Sequence, residues 1–302
     1  MMQAILVTLH LLLQSLSIIN VFLKKLVEFI LFSSIFIAGC AVALCIETNL
    51  LLHLPLNIIS FYCFVFGATL AQYNLHYLVK TSAVKNSRRL AWSLKNKNLH
   101  KILFAIGIGL IFFSFLSFRL HHFIILGILG VIAFLYSLPI IPFGKKRRIK
   151  DYGFVKILTL ALLWTLVTVW FPVVNYSFER NIFVFVFFKR FVFMFVLCLL
   201  FDIRDIEVDR KENIKTIPVI LGKKRSYYLA YITLAVFVFL SIIQFYFFGN
   251  EGVLIAMLIS ALLTFFTIEI TKKTNSDFIY LAGIDGMMLL QAVLVYLIGL
   301  KF

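Results

Sequence analysis

Long apolar runs, separated by short polar and basic segments, dominate the hydropathy pattern of this chain of 302 residues. A helix needs about 20 apolar residues to cross a bilayer. The runs lack the alternation of strands, and lipid requires the backbone to satisfy its own hydrogen bonds. The pattern therefore predicts an all-α, polytopic membrane protein with about nine transmembrane helices. The predicted spans are 26–46, 56–79, 101–118, 122–140, 154–174, 182–201, 227–248, 253–271 and 278–299.

The distribution of basic residues predicts how these spans are oriented. Assigning the connections alternately to the two sides places 24 of the 29 lysines and arginines on one side. Cytoplasmic loops carry such an excess. We therefore expect an integral protein of the cell membrane, with a cytoplasmic N-terminus and basic loops and with the C-terminus outside.

Composition agrees with a membrane protein and excludes some functions. Hydrophobic residues make up 63% of the chain and the mean hydropathy is +1.04. The net charge of +16 is spread over membrane loops, so it indicates contact with anionic lipid rather than with nucleic acid. The four cysteines lie in or beside apolar spans and have no ligand-like pairing.

An acidic cluster follows the apolar run 191–201. Of the 13 Asp and Glu residues, five lie between Asp202 and Glu212. If the segment is helical, Asp202, Asp205 and Asp209 share one face at i, i+3 and i+7. Such a triplet could hold Mg²⁺, which uses one or two carboxylates and completes its shell with water and substrate phosphates. The alternative is a solvated helix end, neutralised by neighbouring basic side chains.

The segment Asp202-Ile-Arg-Asp205-Ile-Glu-Val-Asp209-Arg, with Lys215-Thr-Ile-Pro218 and Leu221-Gly222 after it, resembles the second aspartate-rich motif of the UbiA superfamily of intramembrane prenyltransferases. The resemblance covers most of 56–300 and is specific at 202–222. It implies a UbiA-like helical bundle around a central cavity over 26–302. Residues 1–25 are apolar with scattered polar side chains, so we expect an N-terminal interfacial segment there, with a tenth hydrophobic segment as the alternative. The resemblance also implies transfer of a prenyl group from a prenyl diphosphate to a lipophilic acceptor, with Mg²⁺ on Asp202, Asp205 and Asp209 as the catalytic aspartates.

The first aspartate-rich motif of that family, Asn-x-x-x-Asp-x-x-x-Asp, is degenerate in this chain. Asn74 matches its leading position and is a candidate substrate-binding residue, whereas Leu78 and Ser82 occupy the two aspartate positions. This departure leaves a second function open. The chain could be a catalytically impaired relative that binds isoprenoid diphosphates or lipids in the membrane.

Basic residues near the acidic cluster are candidates for binding the diphosphate. The segment Tyr136-Ser-Leu-Pro139 leads into a basic loop, which in the resembled family supplies Lys or Arg to the diphosphate. Lys150 and Lys156 lie nearest the start of the fifth predicted span. Arg210 and Lys215 come from the acidic segment itself. Cationic donors suit a leaving diphosphate because negative charge grows on it as the C–O bond breaks.

Three charged residues fall well inside predicted spans and away from the span ends, in positions where ionisable groups are costly. Lys189 and Arg190 lie in the sixth span and Asp285 lies in the ninth. We expect the two cations to pair with Asp285 or with backbone carbonyls inside the bundle. A role of Asp285 toward an acceptor is the alternative.

Overall fold

A computed structural model describes residues 22–79, 87–137 and 153–299, with side chains of the second range described as far as residue 132. The described backbone is helical and contains no β-strand, which confirms the all-α prediction. The helices are α1 Phe22–Phe32, α2 Ile35–Leu51, α3 Ile59–Val79, α4 Arg88–Lys95, α5 Lys97–Phe115, α6 Leu120–Ser137, α7 Gly153–Val173, α8 Arg180–Arg204, α9 Ile206–Lys211, α10 Ile217–Leu221, α11 Lys223–Phe248, α12 Glu251–Lys273 and α13 Ile279–Gly299.

Six of the described helices, α5, α7, α8, α11, α12 and α13, are long and apolar enough to cross a membrane. Helices α1 and α2 meet at a bend of 63° and make a seventh span if they count as one. Helix α6 is apolar from Leu120 to Ile132. Helix α3 has 21 residues, but Gln72, Asn74 and His76 make its C-terminal half polar. The prediction of a polytopic helical bundle is confirmed, whereas its count of nine spans stays a prediction.

The bundle is built around α8, which packs between α7 and α11. On one side α7 also contacts α2, and on the other α11 leads to α12 and α13, which returns to α2. Helices α3 and α5 pack through two glycines. A Cβ on Gly67 would lie 2.7 Å from the carbonyl oxygen of Gly107, and one on Gly107 would lie 2.6 Å from that of Gly67. Both positions therefore require glycine.

Charged residues inside α8 pair differently from the prediction. Arg190 Nη2 lies 2.9 Å from Glu47 Oε2 of α2, and both side chains are buried. Arg190 Nη1 also donates to Thr168 Oγ1 of α7 at 3.3 Å. The expected pairing of Arg190 with Asp285 is therefore wrong, because Glu47, just after the first predicted span, supplies the counter-charge. The alternative, contact with a backbone carbonyl inside the bundle, is confirmed by the hydrogen bond that Nη1 donates to the Leu44 carbonyl oxygen at 3.5 Å. Lys189 is buried beside this pair, and its ammonium has no hydrogen-bond partner in the described part of the chain.

Candidate functional site

The acidic segment after α8 is two short helices rather than a continuation of one helix. Helix α8 ends at Arg204, and Asp205 (φ −89°, ψ 7°) leaves the helical conformation. Its carbonyl oxygen accepts hydrogen bonds from the amides of Val208 and Asp209, both at 2.9 Å, which starts α9. Asn213 then adopts a positive φ of 56°, a conformation that ends helices. The chain therefore reverses between Asp202 and Thr216.

This break changes which aspartates face each other. Lys156 Nζ of α7 lies 2.8 Å from Asp202 Oδ1 and 3.3 Å from Asp209 Oδ2. The exposed fractions of these two carboxylate side chains are 8% and 7%. Two buried carboxylates thus share one ammonium group. One oxygen of this pair, Asp202 Oδ2, is buried and has no hydrogen-bond partner among the described residues.

Asp205 does not share Lys156 with the other two aspartates, although its charge acts on both of them. The helix is interrupted at Asp205, so the single helical face expected for the three carboxylates is not formed, and their joint role as metal ligands stays a prediction. Asp205 is bound by the guanidinium of Arg204, with Nε to Oδ1 at 2.8 Å and Nη2 to Oδ2 at 3.1 Å. That guanidinium also stacks over the rings of Phe201 and Tyr280 at 4.9 and 5.0 Å. The described residues contain no group of three or more His, Cys, Asp or Glu side chains that could hold a metal ion.

The position of Lys156 depends on a contact between the start of α7 and the segment before α10. Gly153 is buried against the backbone of Lys215 and Thr216, where a Cβ would meet the Lys215 carbonyl oxygen at 1.8 Å. Only glycine permits this approach. Lys156 lies one turn further along α7, so the contact sets its ammonium between the two aspartates.

Burial sets the protonation behaviour of Asp209, which lies outside the membrane-spanning helices. Burial raises the pKa of Asp209, and the nearby ammonium of Lys156 lowers that pKa in part. Asp209 therefore holds its proton to a higher pH than an exposed aspartate does.

The remaining predicted residues have other surroundings. Arg210 is exposed and pairs with Glu207, with Nη1 to Oε1 at 3.0 Å. Lys215 is exposed. The side-chain amide of Asn74 donates to the carbonyl oxygens of Ser33 and Leu70 and its oxygen lies 2.6 Å from His100 Nδ1. Asn74 thus connects α3 to α1–α2 and α5. Lys150 lies outside the described residues.

Sequence reasoning missed two residues, Glu47 and Gly153, that determine how the helices pack. Glu47 carried a signal, because it is an isolated acid at the end of an apolar run. Gly153 was visible as the glycine that begins the fifth span, but no sequence pattern shows which backbone it touches. Its partner lies 62 residues further along the chain, at Lys215.

Comparisons with known proteins agree on one family. The model of the UbiA prenyltransferase family matches residues 87–280. A UbiA homologue from Aeropyrum pernix K1 is 16% identical, with a TM-score of 0.62, over 86% of this chain and 98% of that chain. A UbiA homologue from Archaeoglobus fulgidus, solved with GPP and Mg²⁺, is 12% identical, with a TM-score of 0.59, over 90% of this chain and 99% of that chain.

A structure described for digeranylgeranylglyceryl phosphate synthase is similar as well. It is 18% identical, with a TM-score of 0.55, over 92% of this chain and 100% of that chain. The comparison with curated proteins gave no match. At these identities the solved structures establish the fold.

Proposed function

The chain belongs to the UbiA prenyltransferase family, and on that premise we propose that it transfers a prenyl group from a prenyl diphosphate to a lipophilic acceptor within the membrane. The observation that carries this proposal is the pair of buried carboxylates, Asp202 and Asp209, that face one cation at the end of a membrane-spanning helix. Ionisable groups in that position are costly and mark functional sites.

The pair fits a magnesium ion. Mg²⁺ is bound through one or two carboxylates plus substrate phosphates and water, and the partnerless Oδ2 of Asp202 is an available oxygen ligand. Asp202 and Asp209 would hold the ion, and Asp205 could join only by leaving Arg204. When bound, Mg²⁺ neutralises the charge that grows on the diphosphate as the allylic C–O bond breaks.

Lys156 would bind the diphosphate itself. Its ammonium already lies between the two carboxylates. A divalent cation would neutralise these carboxylates, so the ammonium could also donate to phosphate oxygens. Arg210 and Lys215, exposed on the segment that carries Asp209, stay predicted contacts of the diphosphate, as does Lys150. Asn74 would support the site indirectly, because its amide is already hydrogen-bonded between helices.

The rest of the reaction follows from the membrane setting. The prenyl tail would lie among the apolar helices, and the acceptor, an aromatic ring or a lipid alcohol, would reach the site from the bilayer. The prevalence of basic residues on the loops at this end supports a cytoplasmic location for the site, where Mg²⁺ and diphosphate esters are present. The solved relatives from Archaeoglobus fulgidus hold GPP or DMAPP with Mg²⁺, which supports the same class of donor here.

One observation favours a second function, a relative that binds prenyl diphosphates without turnover. The end of α3 carries Leu78 where the first family motif has an aspartate. One carboxylate pair would then retain the ligand but lack the charge needed to break the C–O bond.

The test uses detergent-purified protein, a panel of radiolabelled prenyl diphosphates, and Mg²⁺ or EDTA. Binding and the release of free diphosphate are measured in the same samples, with and without an extract of membrane lipids as acceptor source. Mg²⁺-dependent binding with release and a prenylated product supports the transferase. Binding without release under both conditions supports the binding protein, and a lack of binding contradicts both.

A further inference from the structure

Helices α3, α4 and α5 contain no carboxylate. Between Thr48 and Lys150 the sequence has neither Asp nor Glu. This stretch includes the whole connection between α3 and α4, so no residue of it can supply a carboxylate to a metal ion. The amide of Asn74 is used in contacts between helices. On this side a diphosphate requires a different counter-charge.

Arg89, in the first turn of α4, has the geometry of such a counter-charge. Its backbone amide donates to Asp277 Oδ2 at 2.9 Å, which fixes the start of the helix. Its guanidinium stacks over the ring of Tyr77 at 4.7 Å and donates from Nη2 to Ser34 Oγ at 3.0 Å. Its Nε is buried without a hydrogen-bond partner in the described part of the chain. The group is therefore held in one orientation and keeps donors to spare.

The guanidinium of Arg89 is not neutralised by an ion pair with any described residue. The adjacent Arg88 is exposed and pairs with Glu28, whereas Asp277 binds the backbone of Arg89 rather than its side chain. The charge of Asp285 acts on Arg89 without an ion-pair contact, so the guanidinium can still take an anionic ligand directly.

Packing places the start of α4 near the end of α8. The backbone amide of Arg89 binds Asp277, which lies just before α13. In the first turn of α13, the ring of Tyr280 stacks on the guanidinium of Arg204 at 5.0 Å. Arg204 lies two residues after Asp202 in α8. Arg89 thus lies near the end of α8 that carries Asp202 but approaches it from α4.

We propose that Arg89 binds the diphosphate on the α3 side of the site, so that the site holds one divalent ion, on Asp202 and Asp209. This inference rests on the proposed binding of prenyl diphosphates. A guanidinium offers planar paired donors that match phosphate oxygens, and stacking on Tyr77 holds that plane in place. One divalent ion and Lys156 would then supply positive charge on one side of the diphosphate, and Arg89 would supply it on the other.

The experiment counts metal ions and compares two neighbouring arginines. The probe is geranyl S-thiolodiphosphate, which resists cleavage, and Mn²⁺ replaces Mg²⁺ so that bound ions can be counted by electron paramagnetic resonance. With saturating probe the parent protein is expected to bind one Mn²⁺ per chain. Arg89→Gln is expected to weaken probe binding about tenfold, roughly the effect of one charge-assisted contact, without changing the number of ions.

Arg88→Gln is the matched control, because it removes the same charge one residue away from an exposed position. It should leave probe affinity within about twofold, since exposed ion pairs contribute little. Arg89→Lys keeps the charge but loses the planar donors, so we expect an affinity between those of the parent and of Arg89→Gln.

Two Mn²⁺ per chain in the parent protein would overturn the proposal whether or not any variant folds. Equal probe affinities for folded Arg89→Gln and Arg88→Gln would also overturn it. Both results would leave the proposed function intact. If the parent protein binds no probe with either metal, the proposed function itself fails.

Discussion

Gly153 packs directly against the backbone carbonyl of Lys215, so closely that a Cβ on Gly153 would lie 1.8 Å from that oxygen. The contact joins the first residue of α7 to the segment between α9 and α10. Since α7 carries Lys156 and α9 carries Asp209, this contact determines whether the ammonium reaches both aspartates. A backbone contact far from any reacting group thereby sets the geometry of the site.

Gly153→Ala is expected to displace α7 from this segment. Overpacking of a close contact costs roughly 1–3 kcal/mol, and both partners here are backbone that cannot rotate away. We expect a lower Tm in detergent together with weaker binding of a radiolabelled prenyl diphosphate. Gly109→Ala is the control, because a Cβ there meets nothing within 4 Å. Equal Tm values for the two variants would contradict the contact.

Lys156→Met removes the cation that two buried carboxylates share. Breaking a buried ion pair from one side costs about 3–5 kcal/mol, because the remaining charges are uncompensated. We expect a reduced Tm without metal, and a larger rise in Tm on adding Mg²⁺ than the parent protein shows. A variant that loses stability but does not respond to Mg²⁺ would show that the aspartate pair does not take a divalent ion.

The affinity for a metal ion should fall as the pH is lowered. This fall should begin at a higher pH than the one at which an exposed aspartate becomes protonated. A carboxylate must lose its proton to bind a metal ion, and burial raises the pKa of Asp209 above the ordinary value of about 4. Lowering the pH through this raised pKa therefore protonates Asp209 while exposed aspartates are still charged. The measurement is a Mn²⁺ titration at a series of pH values. An Mn²⁺ affinity that falls only at about pH 4, in the range of an exposed aspartate, would contradict this expectation.

The Glu47–Arg190 pair should support the fold and not the chemistry. Arg190 precedes Asp202 by 12 residues in α8, or about 18 Å along the helix axis. We expect Glu47→Gln to lower the Tm strongly, since it leaves a buried guanidinium unpaired, while the folded fraction still binds prenyl diphosphate. Glu269→Gln breaks the exposed pair with Lys272 and should lower the Tm far less, because water solvates both charges. Similar Tm losses in both variants would contradict this distinction.

The sequence predicted the membrane-spanning helices because length and hydropathy decide which segments can lie in lipid. The class of site was also predictable, since acids are rare in this chain and five of them lie together. The sequence did not predict which aspartates face each other. A common face for Asp202, Asp205 and Asp209 requires one continuous helix, and the helix ends at Arg204. Pairing across the bundle, as between Arg190 and Glu47, depends on tertiary packing that hydropathy does not encode.

The most direct test of the account compares three carboxylates in one binding measurement. Mg²⁺-dependent binding of radiolabelled geranyl diphosphate is measured for the parent protein, Asp202→Asn, Asp209→Asn and Glu207→Gln. Glu207 is exposed and pairs only with Arg210 among the described residues, so its variant is the matched control. We predict that both aspartate variants lose the Mg²⁺-dependent binding and that Glu207→Gln retains it. Retention of Mg²⁺-dependent binding by folded Asp202→Asn and Asp209→Asn would contradict the assignment of this pair as the metal-diphosphate site.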